Sequence, residues 1–245
     1  SAVTGYAIHG FFVGWTPIFA IPSGMTFHSP VALLGFGVLG ILAGMLGAIL
    51  PTVFYGIRDL FHRLPIPPHF KPALGGLIVG LIGLFVPEIL GTGYGWVELA
   101  VAGKLSITLL ALILLLKMPA MGLTIGSGGS GGVFAPTLYV GAMLGAFVAT
   151  VAGLPPAPFV VVGMAAVFAG AARVPIATLM MVIEMTGGYT LLVPAALAVI
   201  ISYFVQARLA RDLRDSSLYE APVLTRSSSP APHSQISLTR HTLPN

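Results

Sequence analysis

The chain has 245 residues, 56% hydrophobic and only 7% charged, with a mean hydropathy of +0.99, against roughly 25% charged in an ordinary soluble domain. Eleven basic and seven acidic side chains cannot cover a 25.3 kDa globule, so a soluble globular protein is excluded and a polytopic membrane protein is the default. The absence of cysteine excludes disulfides and thiolate metal sites, and a net charge of +4 carried singly between apolar spans does not mark a nucleic-acid partner.

The chain opens on Ser1 without a basic n-region, so it reads as a fragment rather than as a signal peptide. No Asp, Glu, Lys or Arg occurs before Arg58. A break carrying Pro17, Pro22, Ser23, Gly24, Ser29 and Pro30 separates a short apolar segment at 2 to 16 from a long one at 31 to 56. A polar connector at 58 to 71 leads to an apolar stretch at 73 to 86, where Gly76 and Gly80 have small-xxx-small spacing, as do Gly40 and Gly44. After a loop with Glu88, Gly91, Gly93, Tyr94 and Glu98, apolar runs cover 105 to 116, 133 to 151, 159 to 172, 174 to 186 and 190 to 207. The shortest rise only about 18 to 20 Å against a hydrocarbon core of about 30 Å. They must tilt, pair or stop midway, as transporter helices do where they line a polar cavity. The tail at 226 to 245 is Ser, Pro and His without apolar period and reads as disordered or a linker.

Alternating crossings place the connectors with Arg58, Arg63 and Lys71, then Lys117, then Arg173, then Arg208, Arg211 and Arg214 on the cytoplasmic side, with Glu88 and Glu98 outside. Lys104 is the one basic residue on the outer side.

The most informative segment is Gly126-Ser-Gly-Gly-Ser-Gly-Gly-Val-Phe-Ala-Pro136, which opens into an apolar run. Its G-x-G-x-x-G is no dinucleotide fingerprint, because no soluble strand precedes it and the next acid is Glu184; no Gly-Lys-Ser/Thr completes a Walker loop. A flexible linker between spans is one reading. The other is an anion cradle: glycines turn backbone N–H groups toward one point, Pro136 suits a first helical turn, and a helix N-terminus carries about half a positive charge. Uncharged dipoles suit conduction, since a transport site must release its ion.

Gly132-Val-Phe-Ala-Pro136 resembles the GxFxP motif of the CLC chloride channels and proton-coupled chloride antiporters, and the preceding glycine and serine run also matches. Pro87-Glu-Ile-Leu-Gly-Thr-Gly-Tyr94, Ala171-Ala-Arg-Val-Pro-Ile-Ala177, Ile183-Glu-Met-Thr186 and Ser217-Leu-Tyr219 resemble family segments in order, so the resemblance covers about 1 to 225. It implies an all-α membrane protein of tilted and broken helices, here the second inverted half of the membrane domain with one helix before it. The serine loop and gating glutamate of the family's first half are not found in this sequence.

The resemblance further implies transport of chloride or a similar small anion, as channel or H+-coupled antiporter. The amides of Val133 and Phe134 and the hydroxyl of Tyr219 would coordinate the ion, within a loop formed by Gly131, Gly132 and Pro136. On its residue type alone Tyr219 reads rather as an interfacial belt tyrosine, and the family match reverses that reading. The expected unit is a homodimer in the plasma or inner membrane, its interface lined by the runs around 2 to 16, 174 to 186 and 190 to 207. The partners are chloride and the lipid bilayer, with no cofactor. The alternative is a non-conducting half acting as a membrane scaffold or dimerisation module.

Glu184, the lone acid inside an apolar run, is expected to be structural, and Arg173 to snorkel to the cytoplasmic surface. His9, His28, His62 and His69 show no metal-ligand spacing, and no Ser, His and Asp combination points to hydrolysis. An enzyme is therefore not expected.

Overall fold

Apolar runs in a bilayer have no water to satisfy their N–H and C=O groups, so a helix is the one local structure open to them. The computed structural model describes residues 2–15, 19, 30–212 and 217–219, and among these it contains no strand. The break at 16 to 29, apart from Phe19, and the tail at 226 to 245 lie outside the described residues.

The helices follow in order: α1 (Ala2–Val13), α2 (Pro30–Arg63), α3 (Lys71–Phe85), α4 (Tyr94–Val101), α5 (Ile107–Gly126), α6 (Phe134–Ala152), α7 (Pro156–Ala172), α8 (Pro175–Thr186) and α9 (Leu192–Leu209). Their ends are written in the sequence. Ser106 caps α5 by accepting from the Leu109 N–H at 3.3 Å, and proline opens α2, α7 and α8, where a missing N–H costs nothing. Gly153 and Gly187 close α6 and α8 in the left-handed conformation.

Five of the described helical segments are long and apolar enough to cross a membrane. As expected, α7 and α8 are short, at 17 and 12 residues. The run at 105 to 116 is a different case, because α5 continues through Lys117 and Pro119 to Gly126. Lys117 is therefore not in a connector, and the turn at the basic end begins ten residues further on. The connector at 58 to 71 also shortens, since α2 runs on to Arg63 with His62 and Arg63 in its last turn, where basic groups suit the helix dipole.

The short helix α7 is the axle of the fold. Every residue from Phe159 to Ala172 is buried, and α7 packs against α2, α4, α6, α8 and α9. It achieves this by backbone contact. A Cβ at Gly145 would collide with the Phe159 carbonyl, and Cβ atoms at Gly141 and Gly163 would collide with each other's carbonyl oxygens. Helices that close gain dispersion contacts no side-chain interface can match, which is the main attraction left where lipid is as apolar as leucine.

Gly40 and Gly44 form the contact their spacing predicts. A Cβ at Gly40 would lie 2.8 Å from the Ala198 carbonyl, and one at Gly44 would lie 2.7 Å from that of Ser202, both on α9. Gly76 and Gly80 do not, for a Cβ on either meets nothing within 4 Å. On α3 the buried glycines are instead Gly75, against Leu123 and Ser127, and Gly83, against Leu90.

Gly145→Ala is expected to destabilise the protein by about 1–3 kcal/mol through overpacking, whereas Gly76→Ala is expected to cost nothing because the Cβ has room and alanine is the better helix former. Thermal unfolding of both variants in detergent tests the contrast.

Candidate anion-binding site

The glycine-rich segment divides into two functions. Its first part closes α5: the Gly128 N–H donates to the Ile125 carbonyl at 2.9 Å, the Gly129 N–H to the Thr124 carbonyl at 3.1 Å, and the Ser127 hydroxyl to Thr124 at 3.0 Å. Gly128, at φ +97, makes the turn that permits this. Those N–H groups are spent on a helix C-terminus and are not offered to a ligand.

The second part opens α6. Val133 is its N-cap, and the Val133 carbonyl accepts from both the Thr137 N–H at 3.2 Å and the Thr137 hydroxyl at 2.6 Å. Phe134 and Ala135 are the first helical residues and Pro136 the third, so Pro136 lacks an N–H where none would be paired. Among the described residues the amides of Val133, Phe134 and Ala135 have no acceptor. Gly131 and Gly132 are exposed, and Val133 to Pro136 are half-buried. A helix N-terminus with unpaired donors thus stands at a partly open surface.

Tyr219, 49% exposed, is held beside α7 through its own short segment. The Leu218 N–H donates to the Ala171 carbonyl at 2.9 Å, in the last turn of α7, and the Tyr55 hydroxyl of α2 donates to the Leu218 carbonyl at 2.7 Å. The Tyr219 N–H meets the Ser217 hydroxyl at 3.4 Å. Phe168 of α7 packs against both Phe134 and Tyr219. The Phe134 ring packs edge-on against it at 5.1 Å, and the Tyr219 ring lies 6.5 Å away on the same residue. The Phe134 ring is occupied by packing while its amide stays unpaired. Partial burial pushes the pKa of the Tyr219 phenol above its ordinary value, which keeps it a neutral hydrogen-bond donor.

A cavity of about 480 Å³ adjoins the α6 N-terminus, lined by Gly131, Gly132, Phe134 and Pro136 and, from the other side, by Gly91 and Lys117. Lys117, expected in a cytoplasmic connector, is 3% exposed. Its ammonium donates to the carbonyls of Ile89 at 2.6 Å and Gly91 at 2.7 Å, and lies 5.1 Å from the centre of the Tyr139 ring. The Tyr139 hydroxyl donates to the Glu88 carbonyl at 3.1 Å. The segment Pro87-Glu-Ile-Leu-Gly-Thr-Gly-Tyr94 is therefore a carbonyl clamp for a buried cation. Gly93 must be glycine there, at φ +79 with the Tyr139 ring 2.7 Å from where a Cβ would stand. Sequence reasoning missed this; the available signal was a lone lysine inside an otherwise apolar helical window.

Arg173 also departs from expectation. It closes α7 at φ +59, and its Nε donates at 3.0 Å to Gln206, which is fully buried, so it ties α7 to α9 rather than reaching freely to the surface. Glu184 accepts from the Tyr189 hydroxyl at 3.0 Å in an exposed pair.

The sequence profile of the voltage gated chloride channel family matches residues 1–207. The chain belongs to that family. It is 37% identical over 210 residues to a putative chloride channel protein ClcB-like of Ralstonia nicotianae, covering 83% of this chain and 49% of that protein. It is likewise 37% identical over 187 residues to the voltage-gated ClC-type chloride channel ClcB of Salmonella typhimurium, covering 74% of this chain and 44% of that protein. The chain thus spans about half the length of these relatives. Among solved structures, a slow cyanobacterial Cl-/H+ antiporter superposes with a TM-score of 0.77 at 26% identity, covering 84% of this chain and 50% of that one. A CLC-type fluoride/proton antiporter shares the fold, with a TM-score of 0.70 at 22% identity over 81% of this chain and 50% of that one. The fold of this CLC chain is accordingly the all-helical membrane architecture expected from its motifs.

Lys117→Met is expected to lower stability by about 2–4 kcal/mol, because the buried Ile89 carbonyl and the part-buried Gly91 carbonyl lose a charged donor. Lys117→Arg should recover part of that loss. Urea or thermal unfolding of the two variants in detergent checks the order.

Proposed function

We propose that the protein moves chloride or a similar small anion across the membrane, as a channel or an H+-coupled antiporter, and makes or breaks no bond. The anion rests on the amides of Val133 and Phe134 and on the Tyr219 hydroxyl, with Gly131, Gly132 and Pro136 shaping the approach. The observation that supports this reading is that one residue, Phe168, packs against both the Phe134 ring, whose amide has no acceptor among the described residues, and the Tyr219 ring. Dipoles at a helix start attract an anion by fractions of a charge, enough to offset part of its dehydration without trapping it. The relatives' description as chloride channels supports the same choice of ion.

The working unit in this reading is a homodimer. Its interface is formed by α1, α8 and α9, which carry the exposed apolar side chains Phe11, Phe12, Ile176, Val193, Ile200 and Phe204.

Tyr219→Phe keeps the ring on Phe168 and removes one donor. It is expected to weaken chloride binding about tenfold, the worth of one hydrogen bond to a charged ligand, as read by calorimetry on the purified full chain. Absence of any chloride binding by the unaltered protein would favour the scaffold reading instead. Because burial raises the Tyr219 pKa, affinity should also stay level from about pH 6 to about pH 9, below the ordinary phenol range. A decline inside that window that Tyr219→Phe removes would contradict the neutral-donor role.

A further inference from the structure

A second cavity, of about 380 Å³, lies where the end of α2, the start of α3 and the end of α5 meet. Arg58 and His62 line it from α2, Lys71 from α3, and Gly126, Ser127 and Gly128 from the far wall. The Lys71 ammonium reaches the His62 carbonyl at 3.4 Å, so the α3 cation is held over the α2 terminus. Arg58 is fixed by stacking 4.5 Å over the Tyr55 ring, and its Nη2 lies 3.5 Å from Asp59. That pairing leaves the Arg58 Nε buried and, among the described residues, without a hydrogen-bond partner. The end of α5 packs directly on α2 here, since a Cβ on Gly126 would stand 3.1 Å from the Arg58 backbone.

We infer that this pocket binds a phosphate group, carried by a lipid headgroup or by a soluble ion. The space far exceeds a bare halide. Arg58, half-buried, and Lys71 line the same cavity and offer the planar fork and point charge that phosphate oxygens take up. With one acid, Asp59, beside Arg58, the two cations leave one net positive charge, which a singly charged phosphate diester would neutralise. At the adjacent end of α5 the Thr124 and Ile125 carbonyls are already bonded by Ser127, Gly128 and Gly129, which leaves fewer open acceptors to face an anion. The positive-inside reading sets this pocket at the cytoplasmic interface, where anionic headgroups gather. Its occupant would sit beside Arg58, one ring from the Tyr55 hydroxyl that holds the Leu218 carbonyl.

The full chain in phosphatidylcholine nanodiscs provides the test. Pyrophosphate binding is followed by calorimetry in chloride-free buffer, and phosphatidic acid retention by native mass spectrometry. Lys71→Gln, at a half-buried site, and Arg58→Gln are each expected to weaken the bound probe about tenfold, as loss of one charge-assisted contact. Lys104→Gln should leave it unchanged. Binding of pyrophosphate identifies a soluble source and binding of phosphatidic acid alone a lipid headgroup, and either outcome upholds the site. The inference is overturned if neither probe binds, or if the Arg58→Gln, Lys71→Gln double variant binds as the parent does. Tyr219→Phe should leave probe binding intact, so failure of the chloride reading and failure of this one are separable.

Discussion

The backbone of α6 lies directly on the backbone of α7, and the rest of the molecule is arranged around that contact. Gly141 and Gly145 on one side and Gly163 on the other leave no space for a Cβ. Once these helices cross at that separation, Phe168 arrives behind Phe134 and Ala171 presents its carbonyl to Leu218. Any larger side chain at the crossing would part the helices and with them the two halves of the candidate site. The same device recurs where α2 meets α9 at Gly40 and Gly44, and where Gly47 meets Gly170 and Ala171. A short helix buried on every side needs such contacts, because its flanks have no polar face to turn outward.

Charge is handled in two ways inside this apolar frame. Where a charged side chain is buried, it is clamped: Lys117 has two carbonyls and an aromatic face. Where a mobile anion is proposed to rest, only neutral donors are offered, from the start of α6 and from Tyr219. A buried fixed charge without partners is prohibitively costly, and a fixed charge on the anion path would hold the ion too long. Lys117 lines the same cavity as the α6 terminus, yet two of its three donors are engaged by Ile89 and Gly91. Gly91 and Gly93, with positive φ, shape the loop that engages them.

Helix boundaries were largely legible, because prolines, Ser106, Gly153 and Gly187 act through local backbone chemistry. The Gly40 and Gly44 contact was legible from spacing. The Gly76 and Gly80 pair had the same spacing and no partner, for spacing marks a face that is able to pack without specifying what lies opposite. Lys117 was misassigned, and Arg173, which does lie in the turn between α7 and α8, was given no partner, for one reason. A charge between apolar runs looks like a connector unless its partners are known, and those partners, at 89, 91 and 206, are remote in sequence.

Sequence alone determined that the chain is a helical membrane protein, that its glycine and serine run starts a helix, and that its ordered motifs belong to one family. Each of these follows from local periodicity, from residues with special backbone freedom, or from strings in a fixed order. Tertiary structure decided that half of the glycine run caps α5 instead of facing a ligand, that Phe168 joins Phe134 to Tyr219, and that Lys117 is buried. These are facts about which surfaces meet across long stretches of chain. Side-chain volume and carbonyl direction settle them, and neither is expressed until the helices are packed.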